Sequence, residues 1–159
     1  MYTLQAQYLA VNPVVLSPFS FCFLSGVAAL GYWIFRTANY QKDAFRKSGG
    51  RIKILGEPTK YIRAPYFDGQ RKECESLLLT SGFWGLARHA NYLGDLLLSY
   101  SMCFACGTTH LLPHFYGVYM TVLLLHRIQR DHQRCSAKYG KQWEEYCRIV
   151  PHKLIPGIY

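Results

Sequence analysis

The 159 residues are enough for one domain with one core. Half of them are hydrophobic and 16% aromatic, yet mean hydropathy is close to zero, so apolar and charged residues must be segregated along the chain. A net charge of +9 admits nucleic acid, anionic lipid or a phosphorylated small ligand as partner; nucleic acid fits worst, because the basic residues adjoin stretches long enough to enter a bilayer.

Residues 1–13 are apolar and end at Asn12-Pro13, which reads as a break before the next helix. No charged residue occurs from Met1 to Phe35, and all 18 Lys and Arg lie from Arg36 onward. Pro18 to Phe35 is therefore the clearest membrane segment, and its residues span roughly 27 Å as a helix. Gly26 and Gly31 suit close packing of a neighbour there. The segment lacks the basic start and small-residue cleavage site of a signal peptide. A transmembrane helix is predicted over 14–36.

Residues 37–76 form a basic loop. Arg36 to Lys72 carries ten basic residues against three acidic ones, and the positive-inside rule puts such a loop in the cytosol. Its first part, ANYQKDAFRK, can continue the helix out of the membrane. The second part alternates apolar and polar around Ile52 to Leu55 and Tyr61-Ile62, predicting a small hairpin or ordered loop that turns at Asp68-Gly69.

The stretch 77–134 is predicted to hold a polar helix, a membrane hairpin and a long final helix. Leu96 to Leu125 has no charged residue, and Gly107 to Thr109 and Pro113 break it into two arms. The last helix starts near Pro113 and runs through the basic residues 126–134. Residues 135–159 read as a polar, aromatic cytosolic tail in which Pro151 and Pro156 stop any helix.

Several chemistries are absent or poorly matched. There is no GxGxxG after a strand, no Walker A loop and no GxSxG elbow. His110 and His114 straddle Pro113, which spoils a helical metal pair. Cys103-x-x-Cys106 is half a zinc site without a second pair. Cys22, Cys103 and Cys106 lie in apolar runs, where cysteine acts as a small reduced hydrophobe. What remains is a set of polar groups at the membrane edge. Arg88, Asn91, Tyr92 and Asp95 are spaced to share one helical face, as are Arg127, Arg130, Asp131 and Arg134. By themselves these patterns describe interfacial helices with snorkelling arginines as well as they describe a site.

The segments ANYQKDAFRK, LLLTSGFWGLARHANYLGDL, HRIQRDHQRCSAKYGKQWEEYCRIVP and PGIY resemble, in order, the C-terminal signatures of the sterol reductase family, which includes Δ14-sterol reductases, the lamin B receptor and 7-dehydrocholesterol reductase. Gly49-Gly50-Arg51, ACGTTHLLP and Pro156-Gly157 resemble the Δ7 branch more than the Δ14 branch, and Ala90 stands where Δ14-type relatives have proline. His132 departs from the acidic residue that many relatives carry at that position.

The resemblance implies an all-α, multi-pass membrane helical bundle with a small cytosolic loop or hairpin, in the endoplasmic reticulum. It implies NADPH-dependent reduction of the sterol B-ring C7–C8 double bond in cholesterol biosynthesis, with the sterol, the bilayer and other sterol-biosynthesis membrane enzymes as partners, and no nucleic acid or metal. Carried over by position, Lys42 and Arg46 meet the cofactor phosphates, and Leu78 and Trp84 line the adenine and ribose region. Asn91, Tyr92 and Asp95 supply a polar face, Arg127 and Asp131 a paired site, and Tyr146 an aromatic contact. Asp131 and Tyr92 are the available proton donors. Relatives also build the sterol pocket from earlier membrane helices, so the chain is expected to be an incomplete part, inactive alone. Three other readings carry over, the first a Δ14-sterol reductase or lamin B receptor-like protein. An isoprenylcysteine methyltransferase-like enzyme would bind S-adenosylmethionine, which has no phosphate to meet Lys42 and Arg46. A non-catalytic truncated membrane protein would leave NADPH affinity indifferent to Arg127 and Lys42.

Overall fold

The computed structural model describes residues 3–67 and 72–159, so the expected turn at Asp68-Gly69 lies outside the described residues. The chain is mostly helical and forms two compact units, Met1–Phe35 with Tyr92–His126, and Arg36–Asn91 with Arg127–Tyr159. This division follows the segregation of charge. All 18 Lys and Arg fall in the second unit, and Asp95 is the one charged residue of the first.

The first unit is built from α1 (Leu4–Val11), the apolar part of α2 (Pro18–Lys47), α4 (Ala90–Ala105) beyond Asn91, and α5 (Phe115–Tyr139) as far as His126. The expected break falls at Asn12, which ends α1. Among the described residues, α2 is the one helix long and apolar enough to cross a membrane, and Phe19, Phe21 and Phe23 are exposed along it. Helices α2 and α4 meet at two glycines. A Cβ on Gly31 would sit 2.9 Å from the Gly94 carbonyl oxygen, and one on Gly94 would sit 2.7 Å from the Phe35 nitrogen. Only glycine lets two backbones approach this closely.

The charge-free stretch does divide into two arms. Helix α4 stops at Ala105, Gly107 takes a φ of 75°, and a 3-10 turn at Leu112–His114 leads into α5. Tyr100 and Thr121 join the arms through their hydroxyls at 2.9 Å. His110 Nδ1 pairs with the Tyr8 hydroxyl at 2.6 Å, and His114 Nε2 lies 3.0 Å from the Gly107 carbonyl. The two histidines are thus engaged by separate partners. Cys103 and Cys106 are buried and free, consistent with small apolar fillers.

The second unit corrects the all-α expectation. It contains two antiparallel hairpins, β1 (Lys53–Ile54) with β2 (Glu57–Pro58), and β3 (Tyr61–Phe67) with β4 (Glu73–Leu79). The longer ribbon is apolar on both faces at its Tyr61-Ile62 and Leu77–Leu79 end, which lies between two clusters. Tyr61, Leu77 and Leu79 pack against Phe45, Ile54 and Trp84. On the opposite face, Ile62 and Leu78 pack against Trp143, Tyr146 and Val150. A second correction concerns the tail, where Lys141–Ile149 form α6, so the helix content does not end with α5. Pro151 stops α6 as its sequence position predicts.

Candidate functional site

Two successive turns of α2, beyond its apolar stretch, expose a cationic face. Lys42 and Arg46 are one helical turn apart and line the same cleft, together with Phe45. From α5, Asp131, Cys135 and Tyr139 repeat at four-residue intervals and form the facing wall. Strand β4 contributes Ser76 to Leu79 as the floor, and Trp143 and Tyr146 of α6 close one end. Trp84, on the short helix α3 (Phe83–Leu86), and Arg88 just beyond it complete the lining. The cleft holds about 660 Å³ of empty space, its open mouth included.

Trp84 is set with care. Its indole Nε1 donates to the Ala38 carbonyl at 2.8 Å, leaving the ring only 4% exposed. The Phe83 amide donates to Gln41 Oε1 at 3.0 Å, which fixes the start of α3. Gly82 is obligatory there, since its φ is 64° and a Cβ would meet Gln41 Oε1 at 2.5 Å. The Lys42 ammonium rests 3.8 Å above the indole centroid.

Electrostatics define what the cleft accepts. Three cations, Lys42, Arg46 and Arg88, face one acid, Asp131. Burial, and then the charge of Arg46, lower the Lys42 ammonium to about 8, about two helical turns beyond the apolar stretch of α2. His89 Nε2 lies 3.7 Å from Asp131 Oδ2. Burial pushes the His89 imidazole down to about 4, so near neutral pH this is a contact between a neutral ring and a carboxyl group rather than an ion pair. Burial also drives the Tyr146 phenol well above its usual range and the Cys135 thiol up to about 11. Both are hydrogen-bonding groups, not acids or nucleophiles, at neutral pH.

Six of the residues singled out from the sequence line this cleft: Lys42, Arg46, Leu78, Trp84, Asp131 and Tyr146. Asn91 and Arg127 belong to the same unit but are not in the lining. Asn91 Nδ2 donates to Asn39 Oδ1 at 3.3 Å, and Arg127 is exposed one turn before Asp131. Tyr92 and Asp95 belong to the first unit. The proposed common face of Arg88 with Asn91, Tyr92 and Asp95 does not form. Ala87 is extended and α4 begins only at Ala90, so Arg88 precedes the helix.

Sequence reading placed Arg88 on a helix face instead of in the cleft, and missed Ser76, Cys135, Tyr139 and Trp143. The four-residue spacing of Asp131, Cys135 and Tyr139 was a usable signal, while Ser76 and Trp143 depend on strand register and the position of α6. His132 has a local role. Its Nδ1 accepts from Trp143 Nε1 at 3.1 Å, tying α5 to α6.

Comparison with known proteins adds a family. Residues 1–159 match the model described as "Ergosterol biosynthesis ERG4/ERG24 family". The chain is 50% identical over its whole length to a 7-dehydrocholesterol reductase of Xenopus laevis, covering 34% of that protein. It is 51% identical to a probable 7-dehydrocholesterol reductase of Acanthamoeba polyphaga mimivirus, with 99% of the chain and 34% of that protein covered. A Delta(14)-sterol reductase of Methylotuvimicrobium alcaliphilum is 44% identical, with 99% of the chain and 35% of that protein covered. The chain therefore spans about a third of the length of the curated relatives it matches.

Proposed function

Since the chain belongs to the ERG4/ERG24 family of sterol reductases, we propose that it is the C-terminal, NADPH-binding part of a membrane Δ7-sterol reductase. The observation that carries this reading is the cleft of the second unit, where three cations and a single acid surround an indole. A charge balance of that sign fits a ligand with several phosphates, and a cation fixed over an indole fits a phosphorylated aromatic base beside it. S-adenosylmethionine would bring a positive charge into the same cationic cleft, which argues against the methyltransferase reading. The higher identity to relatives named 7-dehydrocholesterol reductase than to the Δ14 relative favours reduction of the C7–C8 bond.

In this reading Lys42 and Arg46 hold phosphate oxygens, the extra 2′-phosphate among them, and Trp84 and Leu78 form the apolar bed for adenine and ribose. Tyr146, a neutral hydroxyl group, and Tyr139 close the cleft. The chemistry NADPH supplies when bound is hydride delivery to a ring carbon. An unactivated alkene accepts hydride poorly, so the protein must also provide a proton. A carboxyl acting as acid at neutral pH needs apolar enclosure, whereas the Asp131 side chain is 47% exposed beside His89. We therefore assign Asp131 to holding cofactor hydroxyl groups, with Asn91 and Arg127 supporting the neighbouring wall. Tyr92 remains the proposed proton donor and Asp95 its polar neighbour on α4. The exposed phenylalanines of α2 face lipid in a multi-pass protein of the endoplasmic reticulum, with the basic second unit on the cytosolic side.

A chimera tests the reading. The corresponding C-terminal third of the Xenopus laevis relative is replaced by these 159 residues, reconstituted in proteoliposomes and supplied with NADPH. Conversion of 7-dehydrocholesterol, and not of a Δ14 sterol, is expected by gas chromatography with mass detection. A folded chimera that binds no NADPH, or reduces only the Δ14 substrate, refutes it.

A further inference from the structure

Arg88 is 92% removed from solvent, at 8% exposure, yet it lines the cleft. Its guanidinium is spent on the chain's C-terminal segment. Nη1 donates to Cys147 Sγ at 2.7 Å, and Nη2 to the Pro151 carbonyl at 3.0 Å. The backbone repeats the link, with the Arg88 and His89 amides donating to the His152 and Lys153 carbonyls at 3.0 Å each. These partners are all neutral. Among the described residues no carboxylate lies within ion-pair distance of Arg88, and its Nε is buried without a hydrogen-bond partner. Neutral acceptors satisfy hydrogen bonds but leave a buried charge uncompensated, which is costly.

We propose that Arg88 is a positioning residue that couples occupancy of the cleft by a phosphorylated nucleotide to docking of the C-terminal segment 147–159. This rests on the nucleotide reading of the cleft. An anion in the cleft offsets the cost of burying Arg88, so it stabilises the conformation in which Cys147 and Pro151 are clamped. By linkage the clamp strengthens anion binding by the same factor. The clamp lies at the C-terminal end of α6 (Lys141–Ile149), the helix whose Trp143 and Tyr146 form part of the wall. Docking the segment thus sets the shape of the site.

The test uses the full chain in lipid nanodiscs with 2′,5′-ADP as probe. Affinity is measured by calorimetry, and the rate of trypsin cleavage after Arg148 and Lys153 is followed with and without probe. In the unaltered chain, saturating probe is expected to slow cleavage severalfold. Arg88→Gln loses that protection and binds about tenfold more weakly, as expected for one charge-assisted contribution. Arg88→Lys keeps the charge without the fork, so affinity stays within a few-fold while cleavage remains fast. Cys147→Ala loosens the segment without changing charge, and the double variant Arg88→Lys/Cys147→Ala is no worse than either single one. If circular dichroism shows that Arg88→Gln does not fold, the Lys and Cys147 variants decide. Additive effects in the double variant, or normal protection in Arg88→Gln, overturn the coupling. An unaltered chain that binds no 2′,5′-ADP overturns the nucleotide reading and the coupling with it, whereas binding that leaves cleavage unchanged overturns the coupling alone.

Discussion

Lys42 sits where two opposing demands meet. Burial and Arg46 pull its ammonium down to about 8, while the indole beneath it and Asp131 across the cleft favour the charged form. A bound phosphate raises the Lys42 value, so binding takes up a proton wherever pH lies between the free and bound values. Affinity for 2′,5′-ADP is therefore expected to be steady from pH 7 to 8 and to fall as pH rises above about 8; calorimetry across pH 6.5–10 reads this directly. Lys42→Met should weaken binding by about 10–100-fold, the range of one charge-assisted hydrogen bond, and flatten that decline. His89 makes the opposite kind of prediction, about stability at acid pH. Its folded value of about 4 lies below the ordinary 6.5, so the unfolded chain binds more protons between them. Stability from this residue is fully present above about 6.5 and is lost as pH falls through about 4, by an amount on the order of 3 kcal/mol. Thermal unfolding of the unaltered chain and of His89→Gln should diverge at pH 7 and converge near pH 4.

Elements whose pattern is local were legible in the sequence. The span of α2 with its polar extension, the break at Asn12, the two arms around Gly107 and the long α5 all follow from apolar runs and their punctuation. What was not legible depends on partners far along the chain. A hairpin after Tyr61 was expected from its alternation, but not that Phe45 and Trp84 would cover one side of its Tyr61–Leu79 end and α6 the other. Likewise, Arg88 looked like part of a helix face, but its backbone is drawn to His152 and Lys153 instead. The glycine pair of α2 and α4 was half visible: Gly31 was singled out, and Gly94 became its counterpart only in three dimensions. This crossing yields an element-scale prediction. A valine side chain at Gly94 would begin 2.6 Å from the Gly31 carbonyl oxygen, which is backbone and cannot rotate away. Gly94→Val should cost about 1–3 kcal/mol or more by forcing the helices apart. Gly26→Val, where a Cβ meets nothing within 4 Å, should leave the melting temperature in detergent almost unchanged.

At the scale of the whole molecule, the proposed nucleotide binding and the proposed sterol turnover draw on different groups. The cleft is lined wholly by residues of the second unit, drawn from α2, β4, α5, α6 and the segment around Trp84. Every group proposed to hold phosphate or adenine is therefore present within these 159 residues. Among the described residues, the apolar side chains of α2 and of the two arms, such as Phe19, Phe23, Phe104 and Val122, are exposed rather than gathered around a cavity like the nucleotide cleft's. Relatives that are named as reductases are about three times as long as the matched stretch. The purified 159-residue chain in nanodiscs is accordingly expected to bind 2′,5′-ADP with an affinity that falls with salt through the exposed Arg46. It should not oxidise NADPH on addition of 7-dehydrocholesterol. Loss of absorbance at 340 nm matched by sterol product would show that these 159 residues build a sterol site by themselves. Salt-insensitive binding would show instead that Arg46 does not grip the probe. The two readouts fail independently, because one depends on cations gathered in the second unit and the other on apolar walls around a sterol.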